Sequence, residues 1–170
     1  MKRLSVLTVV LGVLVAGCGS STTPSAPAKP TFTATLSAAN ETPAITGPEA
    51  SGTGTATITF DTTKDTAGNI TAATATFAVN IANLPAGTPI NASHIHEGAT
   101  GVAGPVRVSL GLVAGEIVLA NGSGTISKSG ITVDPALAQQ IINNPAGFYF
   151  NSHSTLNGGG VVRGQLVKVQ

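Results

Sequence analysis

The chain has three histidines, and two of them, His94 and His96, flank one isoleucine in "HIHEGATGVAGPVRVSL". The third, His153, stands in "FYFNSHS". In an extended strand, residues i and i+2 share a face, about 6.6 Å apart at about 3.3 Å per residue. His94 and His96 therefore point the same way, and Ile95 points into the opposite layer. Two imidazoles so placed can reach one ion. A third, supplied by a neighbouring strand, completes the set of three nitrogens plus an open position that zinc and copper use. Tyr149 and Asn151 share the face of His153, and Phe148 and Phe150 take the other face, which reads as core. The expectation is that His94, His96 and His153 converge at one end of a barrel, with Arg163 of "GGGVVRGQL" close by. Ligating imidazoles need an acceptor on their other nitrogen, and Glu97 and Asn151 are the candidates.

The same residues support a structural reading. The three imidazoles can hydrogen-bond to Glu97, Asn151, Arg163 or backbone carbonyls, and Arg163 can pair with Glu41, Glu97 or Glu116 in one network. Both readings stay open on the sequence. Other chemistries are poorly supported. Ser152 and Ser154 flank His153, but strand neighbours alternate faces and no orienting acid is at hand for a hydrolase triad. "GATGVAG" lacks the GxGxxG spacing and no helix follows it, so it reads as a turn. Asp61 and Asp65 lack the spacing of a calcium loop.

These residues must be positioned by strands. Threonine, valine, glycine and asparagine abound, and only 9% of residues are charged, which suits pleated surfaces joined by turns. "TFTATLS" alternates Phe32, Ala34 and Leu36 with threonines. "GTGTATITF" sets Ala56, Ile58 and Phe60 on one face, and "ITAATATFAVNI" returns with Phe77, Val79 and Ile81. "INASHIH", "PVRVSL", "GFYFNSH" and "GVVRGQLVKV" read as further strands, and "EIVLANGSGTI" as strand material broken by "NGSG". The one helix signal is "DPALAQQIINNP", with Asp134 as N-cap, Pro135 at the first helical position and a helix over 135–143. Eight or so strands with one short helix predict an all-β fold, a β-sandwich or Greek-key barrel. The helix should cross over the surface before two adjacent strands, "NSHS" and "VVRGQL".

The amino terminus reads as an address. Lys2 and Arg3 precede the apolar run "LSVLTVVLGVLVAG", which is short for a membrane span. "LVAGC" follows, with the only cysteine, Cys18. This arrangement resembles the bacterial lipobox, which implies removal of residues 1–17 and a lipid on Cys18 that anchors the protein to the cell envelope, facing the periplasm or the exterior. Residues 18–30, rich in Ser, Thr, Pro and Ala, read as a tether, and 31–170 as one domain. Loss of the leader removes two of the eight basic residues and leaves seven acidic ones. That balance, with no basic run, argues against nucleic acid as a partner, so contact with the membrane would be through the lipid. A lone cysteine excludes an intrachain disulfide.

Over nearly all of the domain the sequence resembles the CHRD (chordin-like) family. "FTATLSAANETPA", with Glu41 and Pro43, is similar to its opening strand, "SGTGTATITF" to its second, and "HIHEGATGVAGPVRVSL" to its most distinctive motif. "NNPAGFYFNSHS" and "GGGVVRGQL" resemble its last two segments. The resemblance implies an immunoglobulin-like or superoxide dismutase-like β-fold and an extracytoplasmic location, but no settled activity. Val161 stands where the family often has Glu. His-x-His on a strand and a late His look like the copper half of the dismutases, and Arg163 is similarly placed to their guiding arginine. A bridging histidine, a cysteine pair and a zinc loop are all missing. The sequence thus carries no complete catalytic set. It reads as an envelope-anchored binding or structural module for a protein or small ligand, with a copper- or zinc-binding redox protein as the alternative.

Overall fold

A computed structural model describes residues 28–169, so the leader, Cys18 and most of the tether lie outside the described residues. Ten strands and one helix follow in order: β1 (Thr31–Ser37), β2 (Thr53–Lys64), β3 (Ile70–Ala82), β4 (Thr88–Glu97), β5 (Val106–Ser109), β6 (Ile117–Leu119), β7 (Gly124–Val133), α1 (Pro135–Asn143), β8 (Phe148–Ser154), β9 (Val162–Gln165) and β10 (Val167–Lys168). Every pairing is antiparallel, in the order β5-β4-β8-β9-β1-β2-β3-β7. β10 continues on β1 where β9 leaves it, and β6 adds to β4. The sheet rolls into a nearly closed barrel because β6 approaches β7. The two connections at the seam are stitched by Leu84 N–H to Gly122 O (3.1 Å) and Gly87 N–H to Leu119 O (2.8 Å).

The all-β expectation holds, as a barrel rather than a sandwich. The "NGSG" break between β6 and β7 has a steric cause. Gly122 has φ +72°, and a β-carbon there would lie 1.9 Å from the Leu84 carbonyl oxygen, so only glycine fits the seam. β2 and β3 extend further than the apolar alternation marks, through Asp61–Lys64, because the ladder continues to Lys64↔Ile70.

Inward residues alternate as the pleat requires. Phe32, Phe60, Phe77 and Phe150 are all fully buried. Phe32 meets Phe60 edge-on at 5.5 Å, and Phe77 lies 6.2 Å from Phe150. Helix α1 starts where the sequence places it: Asp134 Oδ1 accepts from Leu137 N–H at 2.9 Å, and Leu137, Ala138 and Ile141 are buried on its inner side. It packs against β3 and carries the chain from β7, at one edge, to β8, in the middle of the sheet.

β8 is the strand that matters for function. All seven of its residues are buried, although a strand with one face in solvent would alternate. One face meets the core. The other lies under the segments before β2, between β4 and β5, and between β8 and β9. β9 pairs beside β8 as expected, with Asn151 opposite Arg163.

Candidate metal centre

The register of β4 against β8 brings the histidines together. His94 lies opposite Asn151, His96 opposite Tyr149, and Ala92 opposite His153, so His153 is the diagonal neighbour of His94 on one face. Ring centroids are 4.9 Å apart for His94 and His153, 5.5 Å for His94 and His96, and 6.0 Å for His96 and His153. One nitrogen from each ring lies within 4.8 Å of the other two. Among the described residues, this is the group of three that could hold an ion. The cluster occupies the outward face of the wall, opposite Ile95, Phe150 and Val162 in the core, because strand alternation sends these residues one way and the apolar ones the other.

Two of the three rings are oriented by backbone carbonyls. His96 Nδ1–H donates to Gly104 O at 2.9 Å, and His153 Nδ1–H donates to Gly158 O at 3.0 Å. A carbonyl only accepts, so each Nδ1 carries the proton and each Nε2 presents a lone pair. His153 Nε2 lies 3.0 Å from His94 Nδ1. His96 Nε2 is buried and has no hydrogen-bond partner. The rings are also held neutral. Burial pushes His94 down to about 4, with further lowering by His153 and His96, and burial likewise lowers His96 and His153. Neutral imidazole is the form that ligates.

Arg163 is 2% exposed. Its Nη2 donates to Ala99 O at 3.0 Å and Val102 O at 2.9 Å, fastening the loop between β4 and β5 over the wall. Its guanidinium carbon sits 3.4 Å from the centre of the Tyr149 ring, and that ring stacks on His96 at 4.8 Å and 12°. The Tyr149 hydroxyl accepts from Gly104 N–H at 3.2 Å, so ring, loop and His96 brace one another. Glu41 is also drawn in. Its carboxyl is pushed up to about 7 by burial, against the opposing effects of the Arg163 charge and of Asn151. It rests where a β-carbon on Gly160 would lie 2.5 Å from Oε1.

The fold thus brings together His94, His96, His153, Arg163, Asn151 and Glu41. It does not bring in Glu97. Residue 97 faces away from His96, and its carboxylate pairs with Arg107 at the surface. Glu116 likewise pairs with Lys128, at 2.5 Å. The acceptors on the Nδ1 atoms are therefore the carbonyls of Gly104 and Gly158 and not the Glu97 carboxylate, while the Asn151 side chain stands beside His96. No sequence motif marks a backbone acceptor in a loop. Tyr149 as the pillar of the site had a faint signal, its place on the face of His153. Val161 is fully buried among apolar neighbours.

No curated protein and no solved structure matches the chain significantly. The sequence profile of the CHRD domain matches residues 32–166, from the first strand to just past β9, the strand that carries Arg163. The chain belongs to the CHRD domain family.

Proposed function

We propose that the protein is an envelope-anchored, extracytoplasmic binding module whose outer wall takes one copper or zinc ion through His94, His96 and His153. The observation that carries this reading is the orientation of the rings. Two imidazoles are fixed through Nδ1 by backbone carbonyls, which leaves each Nε2 lone pair for an ion: that of His153 is 3.0 Å from His94 Nδ1, and that of His96 is buried without a well-formed hydrogen bond. A purely structural network leaves few buried acceptors unpaired. Three imidazoles suit copper or zinc and not calcium or magnesium. If the ion is copper, the site could carry redox chemistry. Without an ion, the cluster is a hydrogen-bonded brace, a reading favoured by the direct His94–His153 contact.

Tyr149 supplies the test. It is the only tyrosine, the chain has no tryptophan, and its ring stacks on His96. Copper added to metal-free protein should quench its fluorescence with a stoichiometry of one, and zinc should compete. His96→Ala should abolish stoichiometric binding. Absence of binding tighter than about millimolar for both ions would leave the brace. The anchor is tested separately by intact mass of membrane-extracted protein, which should begin at Cys18 and carry lipid. A free Cys18 in a secreted form refutes it.

A further inference from the structure

Three buried polar atoms on this wall lack a well-formed hydrogen bond, His96 Nε2, Asn151 Oδ1 and Glu41 Oε1, and the Asn151 side chain stands between the other two, close enough to influence both. An ion held by the histidines accounts for the first. It does not account for the Glu41 oxygen, since among histidine, cysteine and carboxylate groups only the three imidazoles come within ligating reach of one another, nor for Asn151 Oδ1, a neutral amide oxygen that copper and zinc take less readily than imidazole. Asn151 is 1% exposed and Glu41 is 8% exposed, so bulk water does not satisfy them. Such atoms are costly unless something donates to them. Their place on the wall says where that donor sits. Asn151 is directly across from His94 on β4 and from Arg163 on β9, and its neighbours on the same face of β8 are Tyr149 and His153. Glu41 lies beside Asn151 and Arg163 and, with Arg163, lines a cleft of about 310 Å³ whose other walls include Asn40, Thr42, Thr100 and Gly101.

Resting on the metal reading above, we propose that Asn151 and Glu41 form the hydrogen-bonding seat of a small oxygen ligand that carries its own hydrogen and occupies the remaining position of the ion. Water or hydroxide fills this seat at rest, and a small hydroxyl-bearing molecule entering by the cleft replaces it. The chemistry of the seat is selective. Asn151 Oδ1 accepts from the ligand. Glu41, whose carboxyl lies near neutrality in its protonation, can accept from the ligand or donate to it. The nearby Arg163 charge favours an anionic ligand over a neutral one. The cleft holds about 310 Å³, and the Glu41 carboxyl takes the space that a side chain on Gly160 would need, so the seat takes a small molecule. Asn151 and Glu41 are positioning residues here; the ion's ligands are the histidines.

Pulsed electron paramagnetic resonance of the copper-loaded full chain, in detergent and D2O, reads the two claims separately. Nitrogen couplings report the imidazoles, and a strongly coupled exchangeable deuteron, beyond the weak couplings of the imidazole N–D groups, reports the oxygen ligand. The expected result is imidazole couplings together with a strongly coupled exchangeable deuteron. Asn151→Leu should keep the imidazole couplings and lose or shift the deuteron coupling. Glu41→Ala, on a loop, should do the same, and serves where Asn151→Leu does not fold. Imidazole couplings with only their own weak N–D couplings and no strongly coupled exchangeable deuteron would overturn the seat and leave the metal reading standing. Absence of imidazole couplings would overturn the metal reading and the seat with it. A deuteron coupling unchanged in both variants would put the ligand elsewhere and overturn the assignment.

Discussion

Glu41→Gln should stabilise the metal-free protein at neutral pH and leave it nearly unchanged at pH 4.5. The Glu41 carboxyl is pushed up to about 7 in the fold, from an ordinary value of 4.5. Between those pH values the native state keeps a proton that the unfolded chain has released. Stability contributed by the neutral carboxyl is thus fully present below pH 4.5 and lost as pH rises through 7. Crossing that interval at about 1.4 kcal/mol per pH unit amounts to about 3 kcal/mol. The side of the carboxyl that meets the cleft is screened, which lowers the figure to about 2–3 kcal/mol. The histidines act in the opposite sense. His94 is pushed down to about 4, so below pH 6.5 the unfolded chain binds a proton that the fold refuses, and stability rises with pH across that range. The two slopes oppose each other in the wild type. Glutamine is a neutral isostere of the protonated acid, so the difference between variant and wild type cancels the histidines and isolates Glu41. Urea unfolding with a chelator present, followed by Tyr149 fluorescence from pH 4.5 to 7.5, should show that difference growing to about 2–3 kcal/mol in favour of glutamine. A difference that stays flat across the range refutes the buried-carboxyl assignment.

Two substitutions test how the imidazoles are oriented. At Gly104 a β-carbon would lie 1.6 Å from the Glu97 carbonyl oxygen, so Gly104→Ala must move the loop whose carbonyl holds His96; copper affinity in the Tyr149 titration should fall about 10–100-fold. Glu97→Gln removes only a surface pair with Arg107, so stability should change by less than about 0.5 kcal/mol and copper affinity should not change.

Much of the fold was legible because one period governs it. Ala56, Ile58 and Phe60 in β2, and Phe77, Val79 and Ile81 in β3, alternate as a half-buried strand must, and all six are core residues in the barrel. The helix was legible because Asp134 and Pro135 write its start in local chemistry. The difference between barrel and sandwich was not. It is decided at the seam by backbone bonds from Leu84 and Gly87 to residues 35 or so positions away, and nothing in a local pattern carries that pairing.

The candidate site divides along the same line. Period two sufficed to put His94 beside His96, and Asn151 beside His153. The register that joins the two strands is a long-range fact, set by Ile95 and Phe150 meeting on the inner face. A slip of one residue in β4 would have turned His94 and His96 into the core, and a slip in β8 would have done the same to His153. Register is therefore the link between the apolar face and the polar one. The core residues, by fixing how β4 meets β8, also fix the distances among the three imidazoles on the outside. The outward face is then sealed by loops, which supply through Gly104 and Gly158 the carbonyls that choose the tautomers. Composition cannot distinguish a loop that covers a site from one that merely turns, and for that reason Glu97, next to a histidine in sequence, looked like an acceptor. Being adjacent on a strand is what sends it to the opposite face, toward Arg107.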